Sequence, residues 1–94
     1  MAAIGEKLSY ANVTQAAAST VKTGPAGLYG IVVTASTGGT VTVYDNTSAA
    51  GTVLITKSSL TVGDTIHFGG LGIAAKNGLH VVVGGTGTVN VLYI

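Results

Sequence analysis

Asp64 and His67 stand three positions apart, shortly after the serine pair Ser58-Ser59, and a second imidazole follows at His80. These are the residue types of a hydrolase triad. A triad needs a base within hydrogen-bond reach of its nucleophile, a carboxylate to orient that base and donors for an oxyanion. Closeness in sequence supplies none of the three. Asp64 sits in a Gly-Asp turn, where its side chain serves the local backbone. Both histidines alternate with apolar residues, which sends them to the outer face of a strand. The expectation is no catalytic residue and no enzyme. His67 and His80 would share a metal ion only on adjacent strands, with Asp45 and Asp64 alone to complete the ligand set. They are read as outer-face histidines, and no metal site is expected.

The run Gly70-Leu71-Gly72-Ile73-Ala74-Ala75 mimics a dinucleotide-binding G-x-G-x-x-A. That fingerprint requires a helix opening at the glycines so that its first amides meet a pyrophosphate. Asn77-Gly78, a turn dipeptide, interrupts too soon. The segment reads as a Gly-rich strand connection, and no cofactor is expected. Thr40/Thr42 and Thr86/Thr88 lack the fixed period of a threonine-faced solenoid and read as outward strand threonines. Asn12-Val13-Thr14 and Asn46-Thr47-Ser48 match the glycosylation sequon, which has meaning only in a eukaryotic secretory setting. No secretory signal is visible in Met1–Lys7, so they are set aside. Tyr10, Tyr29, Tyr44 and Tyr93 have rings that stack on sugars, yet tryptophan and arginine, which usually complete a sugar platform, are missing.

Any such side chain would have to be positioned by one small domain. The chain has 94 residues, of which 7% are charged, against about a quarter in ordinary soluble chains. A domain of this size buries only about 60–65% of its unfolded surface, so its stability alone is modest. With no cysteine, neither disulfides nor a thiolate metal site can add to it. Four lysines, no arginine and a net charge of +1 argue against nucleic acid as a partner. Mean hydropathy is +0.61, but no apolar run is long enough for a membrane helix.

Glycine, threonine and valine dominate, a composition that favours strands joined by tight turns. Alternation, or a short apolar run between turn residues, predicts seven strands: 16–23, 28–35, 40–44, 52–57, 65–68, 79–83 and 88–94. Turn chemistry at 24–27, 36–39, 49–51, 61–64 and 84–87 separates them. The fold class is all-β, an antiparallel β-sandwich of jelly-roll or Ig-like type with about seven or eight strands. Residues 1–15, with Ile4, Leu8, Tyr10 and Val13, read as an N-terminal arm, and 16–94 as the sandwich domain.

Period two assigns Ile31, Val33, Val41, Val43, Val53, Ile55, Ile66, Phe68, Leu79, Val81, Val83, Val89, Val91 and Tyr93 to the core. It leaves Val32, Leu54, Val82, Leu92 and Ile94 outside among threonines. A lone sandwich would be polar there. At about 25 cal/mol per Å², burying a few of these residues between subunits contributes several kcal/mol, comparable with the stability of the isolated domain. Val32, Leu54, Val82 and Leu92 are therefore the candidate self-association residues.

From Thr23 onward the chain resembles small structural proteins of tailed-phage virions. Carrying the likeness are Gly24-Pro25-Ala26-Gly27-Leu28-Tyr29-Gly30-Ile31-Val32-Val33, Thr40-Val41-Thr42-Val43-Tyr44-Asp45-Asn46-Thr47-Ser48, Asn77-Gly78-Leu79-His80-Val81-Val82 and Gly87-Thr88-Val89-Asn90-Val91. The resemblance implies a non-enzymatic, self-associating component of the virion, assembled in the host cytoplasm. Its leading form is a capsid decoration protein bound to the major capsid protein, with a trimer the favoured homo-oligomer. In that form the arm would lie on the shell. A neck or tail position, and a carbohydrate-binding adhesion module using Tyr29 or Tyr44, are the alternatives.

Overall fold

The computed structural model of the chain describes residues 9–14, 17–36, 38–68, 72–85 and 87–94. They form nine strands: β1 (Ser9–Thr14), β2 (Ala17–Thr23), β3 (Ala26–Ser36), β4 (Thr40–Asp45), β5 (Thr52–Lys57), β6 (Thr65–His67), β7 (Ile73–Ala75), β8 (Gly78–Gly84) and β9 (Gly87–Tyr93). Two sheets pack together, and every strand pair is antiparallel. The first sheet has the order β1-β9-β3-β6, with β7 also paired to β3; the second has the order β2-β8-β4-β5. This is the all-β, two-sheet architecture that the composition calls for. The seven expected strands are present, joined by β1 and β7.

Strand β1 corrects the boundary between arm and domain. Residues 1–8, with Ile4 and Leu8, and residue 15 lie outside the described residues. Ser9–Thr14, expected as part of the arm, pairs with β9 along its whole length, from Ser9 opposite Tyr93 to Thr14 opposite Thr88. Val13 is only 3% exposed and belongs to the core. The physical reason is a short period-two pattern, Ala11 and Val13 against Tyr10, Asn12 and Thr14, which suits an edge strand that buries one face.

The core lies between the sheets and is entirely apolar; among the described residues no polar or charged side chain is buried. Ile31 and Val33 of β3, Val41 and Val43 of β4, Leu79, Val81 and Val83 of β8, and Val89 and Val91 of β9 all point into it, as their alternation predicts. Ile55, Ile66, Phe68 and Tyr93 pack against it partly buried.

Val53 departs from the expectation, being 46% exposed. Ile55 lies opposite Val43, but Val53 lies opposite Tyr44, so one extra residue, Leu54, is accommodated in β5. Such a bulge shifts the alternation by one. Val53 therefore turns outward, and Leu54, expected on the outer face, packs against the core instead.

Two core positions come from segments that read as connections. Leu60 is 2% exposed and is held between Gly38 and Gly39, donating its amide to the Gly39 carbonyl (3.0 Å) and accepting from the Gly38 amide (3.3 Å). Ala75, in the Gly-rich stretch, is buried as part of β7. Strand β3 meets β6 through Gly30–Val32 and β7 through Ala26–Leu28, along the same edge. The changeover falls at a bulge at Tyr29, whose carbonyl accepts the Phe68 amide at 3.2 Å.

Candidate functional site

The outer face of the first sheet follows from the residues its strands bury. With Val89 and Val91 inside, β9 turns Thr88, Asn90 and Leu92 outward; with Val13 inside, β1 turns out Tyr10, Asn12 and Thr14. Strand β3 contributes Gly30 and Val32, and β6 contributes Thr65 and His67. The register sets these side by side. One row runs Tyr10, Leu92, Gly30, His67, and the next runs Asn12, Asn90, Val32, Thr65. Tyr10 is 68% exposed, while Leu92 and Val32 are half-buried on neighbouring strands, one row apart. Asn12 Nδ2 donates to Asn90 Oδ1 at 2.8 Å, so the amides form a cross-strand pair beside the apolar residues.

None of the strands of this sheet contains Lys, Arg, Asp or Glu. Lys22, Asp45 and Lys57 all lie on β2, β4 and β5 of the second sheet, while Asp64 and Lys76 lie in connections. The first sheet presents only hydroxyls, amides, one imidazole and apolar groups.

On the outer face of the second sheet, one row runs Ala18, Val82, Thr42, Thr56 and the next Thr20, His80, Tyr44, Val53. Thr42 Oγ1 and Thr56 Oγ1 are 3.2 Å apart. Thr20 Oγ1 donates to the Thr47 carbonyl at 3.1 Å and lies 2.9 Å from His80 Nδ1. The His80 and Tyr44 rings have centroids 6.4 Å apart, tilted at 52°. Among the described residues, Val82 on β8 and Val53 on β5 are thus the outward valines of this face, set apart by the intervening β4.

The four residues expected to form one interface are therefore divided. Val32 and Leu92 share the first sheet's outer face, Val82 is on the opposite side of the sandwich, and Leu54 faces the core. Tyr10, placed on the arm, joins Val32 and Leu92. The signal for it was the alternation of residues 10–14, read in register with the Val89-Asn90-Val91-Leu92 strand.

The residues with chemical potential are spread out as well. His67 is in the first sheet and His80 in the second, so they do not share a site. Among the described residues there is no group of three or more His, Asp or Glu side chains of the kind that holds a metal. The Asp64 carboxylate accepts the Thr61 amide at 3.0 Å within its own turn and stands 4.0 Å from Lys57 Nζ, an exposed pair of little energetic weight. Ser58 and Ser59 are exposed on the connection before it. Ile73–Ala75 is a strand where a dinucleotide fingerprint would open a helix; Gly70 and Leu71 lie outside the described residues. Tyr93 packs on the core, Tyr44 lies on one outer face and Tyr10 on the other, so these three rings do not make a common platform.

The Asp45 carboxylate has a structural task. It accepts the Asn77 amide at 2.8 Å and the Lys76 amide at 3.0 Å, tying the end of β4 to the turn before β8. These backbone bonds, Asn77 first and Lys76 second, hold its pKa below the usual value of 3.8. Comparison with family models, characterised proteins and solved structures finds no match to this chain.

Proposed function

We propose that this chain is a non-enzymatic structural protein of a tailed-phage virion, a capsid decoration protein that acts by burying surface against sister subunits and the major capsid protein. The observation that carries the reading is the first sheet. It is free of formal charge, and it sets Tyr10, Leu92 and Val32 side by side on its outer face. Depletion of charge with retention of aromatic and apolar side chains marks the centre of a protein interface. A low net charge also keeps copies from repelling one another on a lattice.

Two further points support it. We read the strand orders β1-β9-β3-β6 and β2-β8-β4-β5, with β7 as an extra edge segment, as a jelly roll. Viral capsid domains use that winding, as do lectins and cupins. The fold alone assigns no role, and the likeness of residues 23–94 to tailed-phage virion proteins favours the virion among these.

The test is binding of the purified chain to phage capsids stripped of it. Saturation with a copy number that tracks the major capsid protein, lost on Leu92→Lys, supports decoration. Saturation at the count of a single ring moves the chain to the neck or tail. No binding by a folded chain overturns the proposal.

A further inference from the structure

The sandwich has four exposed sheet edges, and three of them carry devices that stop one edge from adding to another. Strand β2 carries Lys22 next to its last residue and is bulged at Val21. Strand β5 ends in Lys57 and is bulged at Leu54. At the far edge of the first sheet, β3 is covered by β6 and β7, three residues each and interrupted between them. Strand β1 differs from all of these. It pairs β9 over six residues without a register shift, and it contains no Lys, Pro or Gly. Among the described residues no strand pairs the other side of its Tyr10–Thr14 stretch.

We infer that the β1 edge, through Tyr10–Thr14, is a pairing site for a second copy of this chain, which adds its own β1 antiparallel across a two-fold axis at Asn12. The inference rests on the self-association proposed above and names the surface through which it occurs. It also replaces the trimer implied by resemblance with a two-fold contact.

The residues of β1 suit that register. Asn12 meets Asn12 of the second copy, Tyr10 meets its Thr14, and Ala11 meets its Val13. Large therefore sits against small on both faces, and no charge meets like charge. Asn12 spends one amide N–H on Asn90, which leaves it a second N–H and its carbonyl oxygen. Residues directly opposite in an antiparallel pair have Cβ atoms about 4.5–5.5 Å apart. The two Asn12 amides thus bond reciprocally, extending the Asn90–Asn12 pair into a four-amide ladder across the axis. The first sheets of the two copies join into one, and the uncharged face carrying Tyr10, Leu92 and Val32 doubles in width without interruption.

Since the chain lacks cysteine, a single introduced thiol reports the contact. Asn12→Cys in the full chain is expected to form a disulfide-linked dimer under mild oxidation, because position 12 faces itself. Thr14→Cys is expected to stay monomeric on a denaturing gel. Its symmetry mate lies roughly 14 Å away, four residues of strand rise plus one strand spacing, beyond the Cα separation of about 7 Å that a disulfide spans.

Asn12→Lys places two ammonium groups on the axis. It is expected to weaken dimerisation at least about tenfold in sedimentation equilibrium, while circular dichroism at low temperature shows the same strand content as the parent. A folded oligomer whose mass Asn12→Lys leaves unchanged, or equal crosslinking at 12 and 14, overturns the edge contact and leaves self-association standing. A chain that is monomeric at every concentration overturns both.

Discussion

The Asp45 carboxylate lies 2.8 Å from the backbone nitrogen of Asn77, thirty-two residues further along the chain. With the Lys76 amide at 3.0 Å it fixes the turn that launches β8, the strand bearing Leu79, Val81 and Val83. The bonds favour the charged carboxylate, so its folded pKa is depressed. A depressed pKa contributes stability that is fully present above the unfolded value near 3.8 and is lost as pH falls through the folded value. Asp45→Asn is therefore expected to melt below the parent at about pH 7, and the two curves to converge towards about pH 2. Thermal unfolding followed by circular dichroism across that range is the measurement. A melting difference independent of pH would sink this account.

Gly30 is required by space. A Cβ there would stand 2.6 Å from the Ile66 carbonyl oxygen, a backbone atom fixed by the pairing of β3 with β6. Gly30→Ala is expected to cost about 1–3 kcal/mol through the backbone shift it forces. Gly24, with nothing within 4 Å of an added Cβ, has only its positive φ of 88° to lose. Its alanine variant is expected to be the milder of the two, about 1 kcal/mol. Chemical denaturation of both variants gives the order.

The bulge in β5 makes a prediction that inverts the simple alternation. Leu54→Ala is expected to destabilise by roughly 1–2 kcal/mol, as truncation of a partly buried core side chain does. Val53→Ala, at an exposed position, is expected to stay within about 0.5 kcal/mol of the parent. Equal costs at the two sites, measured by urea titration, would count against the bulge.

Thr20 couples the tautomer of His80 to the Thr47 carbonyl. Its hydroxyl has one proton and gives it to the Thr47 carbonyl; the 2.9 Å contact with His80 Nδ1 then requires the imidazole to donate from Nδ1. In that arrangement the neutral ring carries its proton on Nδ1 and a lone pair on Nε2. Nitrogen-15 shifts are expected to show a protonated Nδ1 in the parent and a mixture of tautomers in Thr20→Val, with about 1 kcal/mol of lost stability. A parent ring protonated on Nε2 would refute the assignment.

The strands that bury one face cleanly could be read from residue order, because Val41, Val43, Val81, Val83, Val89 and Val91 repeat at period two and lie in the core. What escaped has a local cause in each case. The Leu54 and Tyr29 bulges shift the alternation inside a strand, and nothing in their residue types announces an extra position. Leu60 is an isolated apolar residue in a turn-rich stretch, and only the folded chain shows that Gly38 and Gly39 clasp it. The outward apolar residues were legible singly, but their grouping was not. Placing Leu92 with Tyr10 and Val82 on the far side depends on strand order, which is a property of the whole chain.

Strand β9 lies between β1 and β3, so the nine strands are not completed in the order in which they are made. Until residues 87–93 leave the ribosome, β1 has no neighbour in its sheet and β3 lacks its longest one. Val13, Ile31 and Val33 wait uncovered. Closure of the first sheet therefore waits on its last strand, and it is slow for so short a stretch because its pairings are distant in sequence. A truncation upstream of Gly87 removes the keystone of the first sheet rather than trimming its rim.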